Sequence, residues 1–231
     1  MEIRRLLVTK DVVYSEAGRS APRPITRAIA LAVIHNPFAG RHVEDLSPLF
    51  DVGAQLAELV IAGRMGVAEG RVHPLDADPL GDARPAAEYV MECVLAQPRQ
   101  HTVRTWTENL GDPLHEMIVT ELVDDGVIRR ESGGFGRRRT ERYPALDLLR
   151  AAAPKARIER MITTPRELDL AGAFTIAMVW ALGIEAVLDA RAERGGADLV
   201  ERIRARMPGP LRELLDGIGS SAAATSLTVR R

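Results

Sequence analysis

The feature that most limits the possible folds is an uncharged, apolar run of fifteen residues at positions 170–184, LAGAFTIAMVWALGI. Asp169 precedes this run and Glu185 follows it. A helix that spans a bilayer needs about 20 apolar residues, so the run is too short to cross a membrane comfortably. A helix that is apolar on every side is typical of a protein interior. The run therefore predicts a buried core helix.

Helical spacing of apolar residues recurs along the chain from residue 49 onward. In the segment 49–62, Val52, Leu56 and Leu59 fall on one stripe, which predicts an amphipathic helix. Further along, Asp112 suits an N-cap and Pro113 the first helical position, so a helix is expected to begin there and to end at Gly126. The predicted helices span residues 49–62, 86–96, 112–125, 146–153, 166–190, 198–207 and 211–218.

Two β-hairpins are expected between these helices. The first turns at Glu69 and Gly70. The second pairs residues 127–130 with residues 140–143 across a glycine-rich connection. Near the N-terminus, β-branched residues in 3–14 predict a strand, and apolar spacing in 25–34 predicts a short helix.

The fold class predicted from these elements is mainly α: a compact helical domain with short projecting β-hairpins, preceded by a small α/β N-terminal segment. The expected organisation is an N-terminal segment over residues 1–50, a helical domain over 51–220 and a flexible tail over 221–231. The tail prediction rests on its small residues, which bury little surface.

Composition and residue spacing argue against most catalytic and metal-binding functions. The net charge is −1, and the single cysteine, Cys93, excludes an intramolecular disulfide or a multi-thiolate zinc site. No two of the five histidines have the spacing that would place a metal pair on one helix face. We find no nucleophile elbow and no phosphate-binding glycine pattern. The sequence predicts no enzyme, no catalytic residues, no metal and no cofactor, and a cytoplasmic location.

One cluster of charge exceeds the background of the chain. The second hairpin carries six arginines against two glutamates between residues 129 and 142, an excess of four positive charges. Guanidinium groups bind phosphate oxygens through a planar fork, and an aromatic residue at the tip could enter a lipid interface. The candidate lipid-binding residues are Arg129, Arg130, Phe135, Arg137, Arg138, Arg139 and Arg142. The alternative is a solvated turn whose arginines pair with acids such as Asp124 and Asp125.

A second alternative is nucleic-acid binding. A helix over 112–125 followed by a basic hairpin is similar in outline to a winged-helix module, in which the wing contacts phosphates. The exposed side of that helix, however, carries Glu116, Glu121, Asp124 and Asp125, which a helix in a major groove should not carry. Nucleic acid is therefore the weaker expectation.

Several segments, in order, resemble the Golgi phosphoprotein 3 family over about residues 49–220. The segments are GAQLAELVIAGRMGV at 53–67, ADPLGD at 77–82, TWTENL at 105–110, and ELVDDGVIRR at 121–130 followed by RYPALD at 142–147. The resemblance, to a bacterial type of this family, implies a helical fold with projecting hairpins. It also implies a non-enzymatic, peripheral-membrane role, binding of anionic lipid headgroups including phosphatidylinositol 4-phosphate, and homo-oligomerisation at the membrane.

The residues that bind this lipid in the family do not carry over. The resemblance implies a tryptophan and three arginines at that site, but the corresponding positions here hold Asp112, His115, Val52 and, near the tryptophan position, Val43. Anionic-lipid binding would therefore depend on the arginines of the second hairpin.

The first 50 residues show a different resemblance. The strings NPFAGR at 36–41 and VEDLSP at 43–48 are similar to the N-terminal part of an amino-acid synthesis family of α/β proteins. The rest of that family's domain is not recognisable, so a fragment joined near Gly53 is the interpretation. A remnant of that family's protein is a further alternative for function.

Overall fold

The structure is a computed structural model that describes residues 41–76, 85–133, 140–165 and 168–229. Its helices are α1 (Arg41–Ile61), α2 (Pro85–Leu95), α3 (Val103–Asp124), α4 (Leu148–Thr163), α5 (Leu170–Ala181), α6 (Ala190–Arg206) and α7 (Gly209–Val229). Its strands are β1 (Met65–Ala68), β2 (Arg71–Pro74), β3 (His101–Thr102), β4 (Glu131–Gly133) and β5 (Thr140–Arg142). The predicted class, a mainly helical domain with short hairpins, is confirmed. The strand and helix predicted at 3–14 and 25–34 lie outside the described residues.

Helix α1 lies at the centre of the domain. It packs against α2, α3, α5 and α7, and its residues from Leu46 to Ala57 are buried except for Pro48. The predicted helix 49–62 is confirmed but begins earlier, at Arg41. The expected amphipathic character is wrong in one respect, because Asp51 and Gln55, the polar positions of the pattern, are also buried. Neighbouring helices therefore cover α1 on more than one side.

Two glycines let other helices approach closely. A Cβ atom on Gly53 of α1 would lie 2.6 Å from the Cδ1 of Ile218 in α7. A Cβ atom on Gly111 of α3 would lie 2.8 Å from the Cβ of Pro48 in α1. Both distances are shorter than carbon atoms tolerate, so each glycine sets how closely its helix packs.

The apolar run at 170–184 forms α5 and the turn after it. Residues 172–179 are all buried, as the run predicts. The predicted helix 166–190 is nevertheless too long: α5 ends at Ala181, Gly183 adopts φ +67°, and α6 begins after the N-cap Asp189. A left-handed glycine is a common helix stop. Within the described residues, no helix combines the length and apolarity needed to cross a bilayer.

Helix α3 begins ten residues before the expected first residue, Pro113. Its N-cap is Thr102, whose side-chain oxygen accepts a hydrogen bond from the backbone N–H of Thr105 at 3.2 Å. Asp112 and Pro113, predicted as the cap and first residue, lie inside the helix. The predicted end is confirmed, because α3 stops at Asp124 and Gly126 follows with φ +64°.

The first hairpin forms as predicted. Strands β1 and β2 pair antiparallel, with Ala68 opposite Arg71. Glu69 and Gly70 make the turn with φ values of 53° and 68°, a pair of left-handed residues typical of tight hairpins. The short β3 adds a third strand beside β2.

The C-terminal helix is longer than the predicted 211–218. Helix α7 continues to Val229, and Ser221 and Ala222 in this extension are buried. The region expected to be a flexible tail is therefore helical as far as residue 229. At the other end, the expected boundary at residue 50 falls inside α1. The division into three parts remains a prediction.

Candidate functional site

The second hairpin, residues 127–145, follows α3 and carries the arginine cluster; we call it the arginine hairpin. Glu131 lies opposite Arg142 in the β4–β5 pair, and an isolated bridge joins Ile128 to Ala145. Between them, the N–H of Arg129 donates to the carbonyl of Pro144 at 2.9 Å. A hairpin forms here as predicted, but its first regular strand is β4 (Glu131–Gly133), which begins four residues after the predicted start at residue 127.

A small hydrophobic cluster anchors the base of this hairpin. Ile118, Val119 and Leu122 of α3 pack there with Val127, Ile128 and Ala151, a residue of α4. This cluster is separate from the main core around α1. Helix α3, the arginine hairpin and the start of α4 therefore form one packed unit.

The structure describes three of the seven candidate lipid-binding residues. They are Arg129, Arg130 and Arg142, whereas Phe135, Arg137, Arg138 and Arg139 lie outside the described residues. In an antiparallel pair, directly opposite side chains share a face and successive side chains alternate. Arg129 therefore shares one face with Arg142, and Arg130 lies on the other.

The ion pairs agree with this separation. Arg130 Nη2 lies 2.6 Å from Glu116 Oε1 on α3, and Arg130 Nε lies 4.0 Å from Glu141 Oε2. Arg129 instead pairs with Glu131 at 2.6 Å, with its side chain 58% exposed, and Arg142 is exposed. Arg130 is thus directed towards the domain, while Arg129 and Arg142 lie on the outer face.

Tyr143 extends the inner network of the hairpin. Its hydroxyl donates to Glu141 Oε2 at 2.7 Å. Burial and this hydrogen bond raise the pKa of Tyr143 to about 12, so the phenol keeps its proton at neutral pH. The hydrogen bond to Glu116 raises the pKa of Arg130. The inner face therefore carries a set of charged and hydrogen-bonded groups.

A buried ion pair lies behind this network. Asp51 is 1% exposed in the middle of α1, and its Oδ2 accepts a hydrogen bond from His115 Nδ1 at 2.7 Å. The ring of His115 also meets the ring of Tyr143 edge-on, with centroids 6.4 Å apart. The sequence did not predict this pair. The available signal was that Asp51 is the only charged residue between Asp45 and Glu58, in a mostly apolar stretch of α1.

The surroundings raise the pKa of both Asp51 and His115. Burial raises the pKa of Asp51, more than the contact with His115 lowers it. Burial alone would lower the pKa of His115, but the hydrogen bond and charge of Asp51, with Glu116 and Asp112 nearby, raise it. The folded protein therefore holds protons at this pair more tightly than the unfolded chain does.

This shift predicts a pH-dependent stability. Because the folded-state pKa of His115 lies above its unfolded value of about 6.5, its stabilising effect is complete below that pH and is lost as the pH rises through the folded pKa. We expect the difference in unfolding free energy between the wild type and His115→Asn to shrink as the pH rises above about 6.5. Urea unfolding at a series of pH values measures it, and a difference that stays constant or grows would contradict the assignment.

Among the residues that the structure describes, the other chemical candidates do not assemble into a site. In the part of the chain that the structure describes, no group of three or more His, Cys, Asp or Glu side chains could hold a metal ion. Cys93 is a free, partly buried thiol on α2. Asp76 makes an ion pair with Arg64 at 3.0 Å, a structural contact at the end of the first hairpin.

Together these features define a class of protein: a mainly helical domain built around a buried central helix, with a basic β-hairpin on one outer face. The chain belongs to the Golgi phosphoprotein 3 (GPP34) family, whose model matches residues 46–218. A second model, described as amino acid synthesis, matches residues 3–74 and so overlaps the first over residues 46–74, which include most of α1 and the first hairpin. No curated protein matches the chain.

Proposed function

We propose that the protein is a non-enzymatic module that docks on anionic membrane lipid through the arginine hairpin. The observation that carries the proposal is the outward placement of Arg129 and Arg142 on one face of a hairpin with four excess positive charges. When the protein approaches an anionic leaflet, each basic residue near the surface stabilises the binding by about 1 kcal/mol. Family membership supports the proposal, because this family is associated with phosphoinositide binding.

The described arginines have different roles in this proposal. Arg129 pairs with Glu131, but both side chains are largely exposed, and such surface pairs contribute little. Arg129 can therefore exchange its partner for a lipid phosphate. Arg142 is available on the same face. Arg130 holds the hairpin against Glu116, so we assign it to positioning the hairpin as well as to the local positive charge.

The tip of the hairpin completes the proposed surface. The sequence adds four residues to this surface: Phe135, Arg137, Arg138 and Arg139. They supply one aromatic side chain and three further guanidinium groups. A charge cluster of this kind selects for negative charge density on a membrane. Because the aligned lipid-site positions hold Asp112 and His115, we propose a general preference for anionic lipid over recognition of one phosphoinositide.

Vesicle flotation tests this function. We expect the full-length protein to float with vesicles enriched in phosphatidylserine and to stay in solution with pure phosphatidylcholine vesicles. Arg129→Gln with Arg142→Gln removes two outward charges, so binding should weaken by about 2 kcal/mol, roughly thirtyfold. A matched control, Arg202→Gln with Arg212→Gln, removes two exposed arginines of α6 and α7. Equal binding by both double variants, or no preference for anionic vesicles, would contradict the proposal.

A further inference from the structure

Three leucines beside the arginine hairpin are exposed to solvent. The exposed fractions are 56% for Leu146, 66% for Leu148 and 85% for Leu149. We call these three residues the leucine patch. Among the described residues, the other large exposed hydrophobic side chains are Leu75 and Leu95, which are distant from each other in the sequence. Single exposed leucines are ordinary, but three within four positions concentrate apolar surface in one short segment.

The exposure has a structural cause. Asp147 is the N-cap of α4, and its Oδ1 accepts hydrogen bonds from the N–H groups of Leu149 and Arg150 at 3.1 Å and 3.0 Å. Leu148, Leu149 and Arg150, the first turn of this helix, are all exposed, and burial begins at Ala151. The cap holds the leucines in a defined position although no core covers them.

The leucine patch is fixed to the base of the arginine hairpin. The N–H of Leu146 donates to the carbonyl of Val127 at 2.9 Å. This bond continues the hairpin pairing, in which the N–H of Arg129 donates to the carbonyl of Pro144. Arg150 Nη1 donates to the carbonyl of Asp125 at 2.9 Å, which ties the first turn of α4 to the end of α3. Four extended residues span about 13 Å, so Leu146 lies within that distance of Arg142.

Leu146 and Arg142 therefore lie within about 13 Å of each other on the same packed unit. A bilayer surface offers phosphates to the arginines and, a few ångströms deeper, an apolar boundary to the leucines. The nearest acid in the sequence, Asp147, has its carboxylate bonded at a helix N-terminus, where negative charge is stabilised. The positive charge of the arginine hairpin beside the leucine patch thus favours an anionic lipid surface as the partner that covers the patch.

We propose that Leu146, Leu148 and Leu149 enter the interfacial region of the bilayer whose phosphates the arginines contact. The inference rests on the proposed function and extends it from electrostatic attraction to shallow insertion. Electrostatic attraction alone is screened by salt, whereas burial of leucine is not. The combination gives the protein two independent contributions to membrane binding.

The test uses Leu148→Ser with Leu149→Ser in the full-length protein and phosphatidylserine-enriched vesicles. Binding should weaken about tenfold, since each leucine buries part of its side chain in the interface. The matched control is Leu75→Ser with Leu95→Ser, which removes two exposed leucines elsewhere and should bind like the wild type. A polarity-sensitive fluorophore on Leu149→Cys, in a Cys93→Ser background, should shift to the blue when vesicles are added.

The possible outcomes separate this inference from the proposed function. If the arginine double variant loses binding while Leu148→Ser with Leu149→Ser binds normally and the fluorophore stays in water, the insertion is wrong and electrostatic docking stands. If the leucine variant changes only the oligomeric state in solution, the patch joins two copies of the chain and the insertion is also wrong. If the wild type binds no vesicles, both proposals fail.

Discussion

Replacing His115 with alanine is expected to destabilise the folded protein by about 3 kcal/mol near neutral pH. The reason is the partner that remains. Asp51 is almost completely buried in α1, and its hydrogen bond and ion pair are made with His115 at 2.7 Å. Without the imidazole, a carboxylate must stay buried without a cation or take up a proton. Urea unfolding monitored by circular dichroism measures the loss.

Replacing Asp51 with asparagine should change the unfolding free energy much less. Asp51→Asn keeps an oxygen that can accept from His115 Nδ1 and removes the charge that burial disfavours, so we expect a change within about 1 kcal/mol. Combining Asp51→Asn with His115→Ala should recover most of the stability lost in the histidine variant alone. Equal losses from the two single replacements, added together in the double variant, would show that the pair is not coupled.

The Asp51–His115 pair also bears on the lipid specificity proposed for this chain. His115 lies at a position that the resemblance aligns with an arginine of the family's lipid site. Its side chain is only 21% exposed and is bonded to the buried Asp51. In this chain the position therefore stabilises the packing of α3 on α1. This use of His115 supports the proposal that lipid contacts have moved to the arginine hairpin.

The helical core could be predicted because its signals are local. The apolar run at 170–184, the stripe containing Val52 and Leu56, and the glycine turns at Gly70 and Gly126 each act through nearby residues. Helix ends were less predictable. Pro113 has the sequence signature of a first turn, yet it lies inside α3, where burial of Trp106 and Leu110 holds the preceding turns in place.

The candidate site could be predicted only in part. The charge of the arginine hairpin and the presence of a hairpin are visible in the sequence, but the bounds of its first strand are not. The different surroundings of Arg129 and Arg130 are not, because they depend on which face of the hairpin meets Glu116 of α3. The Asp51–His115 pair was also out of reach, since its members are 64 positions apart. The leucine patch needed the structure too, because helical spacing alone does not show where burial of α4 begins.

The largest loss of stability is expected at Phe174, in the middle of the apolar run. Its side chain is completely buried in α5, the helix that packs against α1, α4, α6 and α7. Phe174→Ala removes most of an aromatic side chain and leaves a cavity, so the unfolding free energy should fall by about 4 kcal/mol. That is a large fraction of the roughly 5–15 kcal/mol that stabilises a typical domain.

Two controls make this prediction specific to burial. Leu149→Ala also removes a large apolar side chain, but from a position that is 85% exposed, and should change stability by less than about 0.5 kcal/mol. Phe174→Leu retains most of the buried apolar volume, so its urea midpoint should lie between those of the wild type and Phe174→Ala. If Phe174→Ala unfolds at the wild-type midpoint, α5 does not lie in the core, and the interpretation of the apolar run as the centre of a helical domain is wrong.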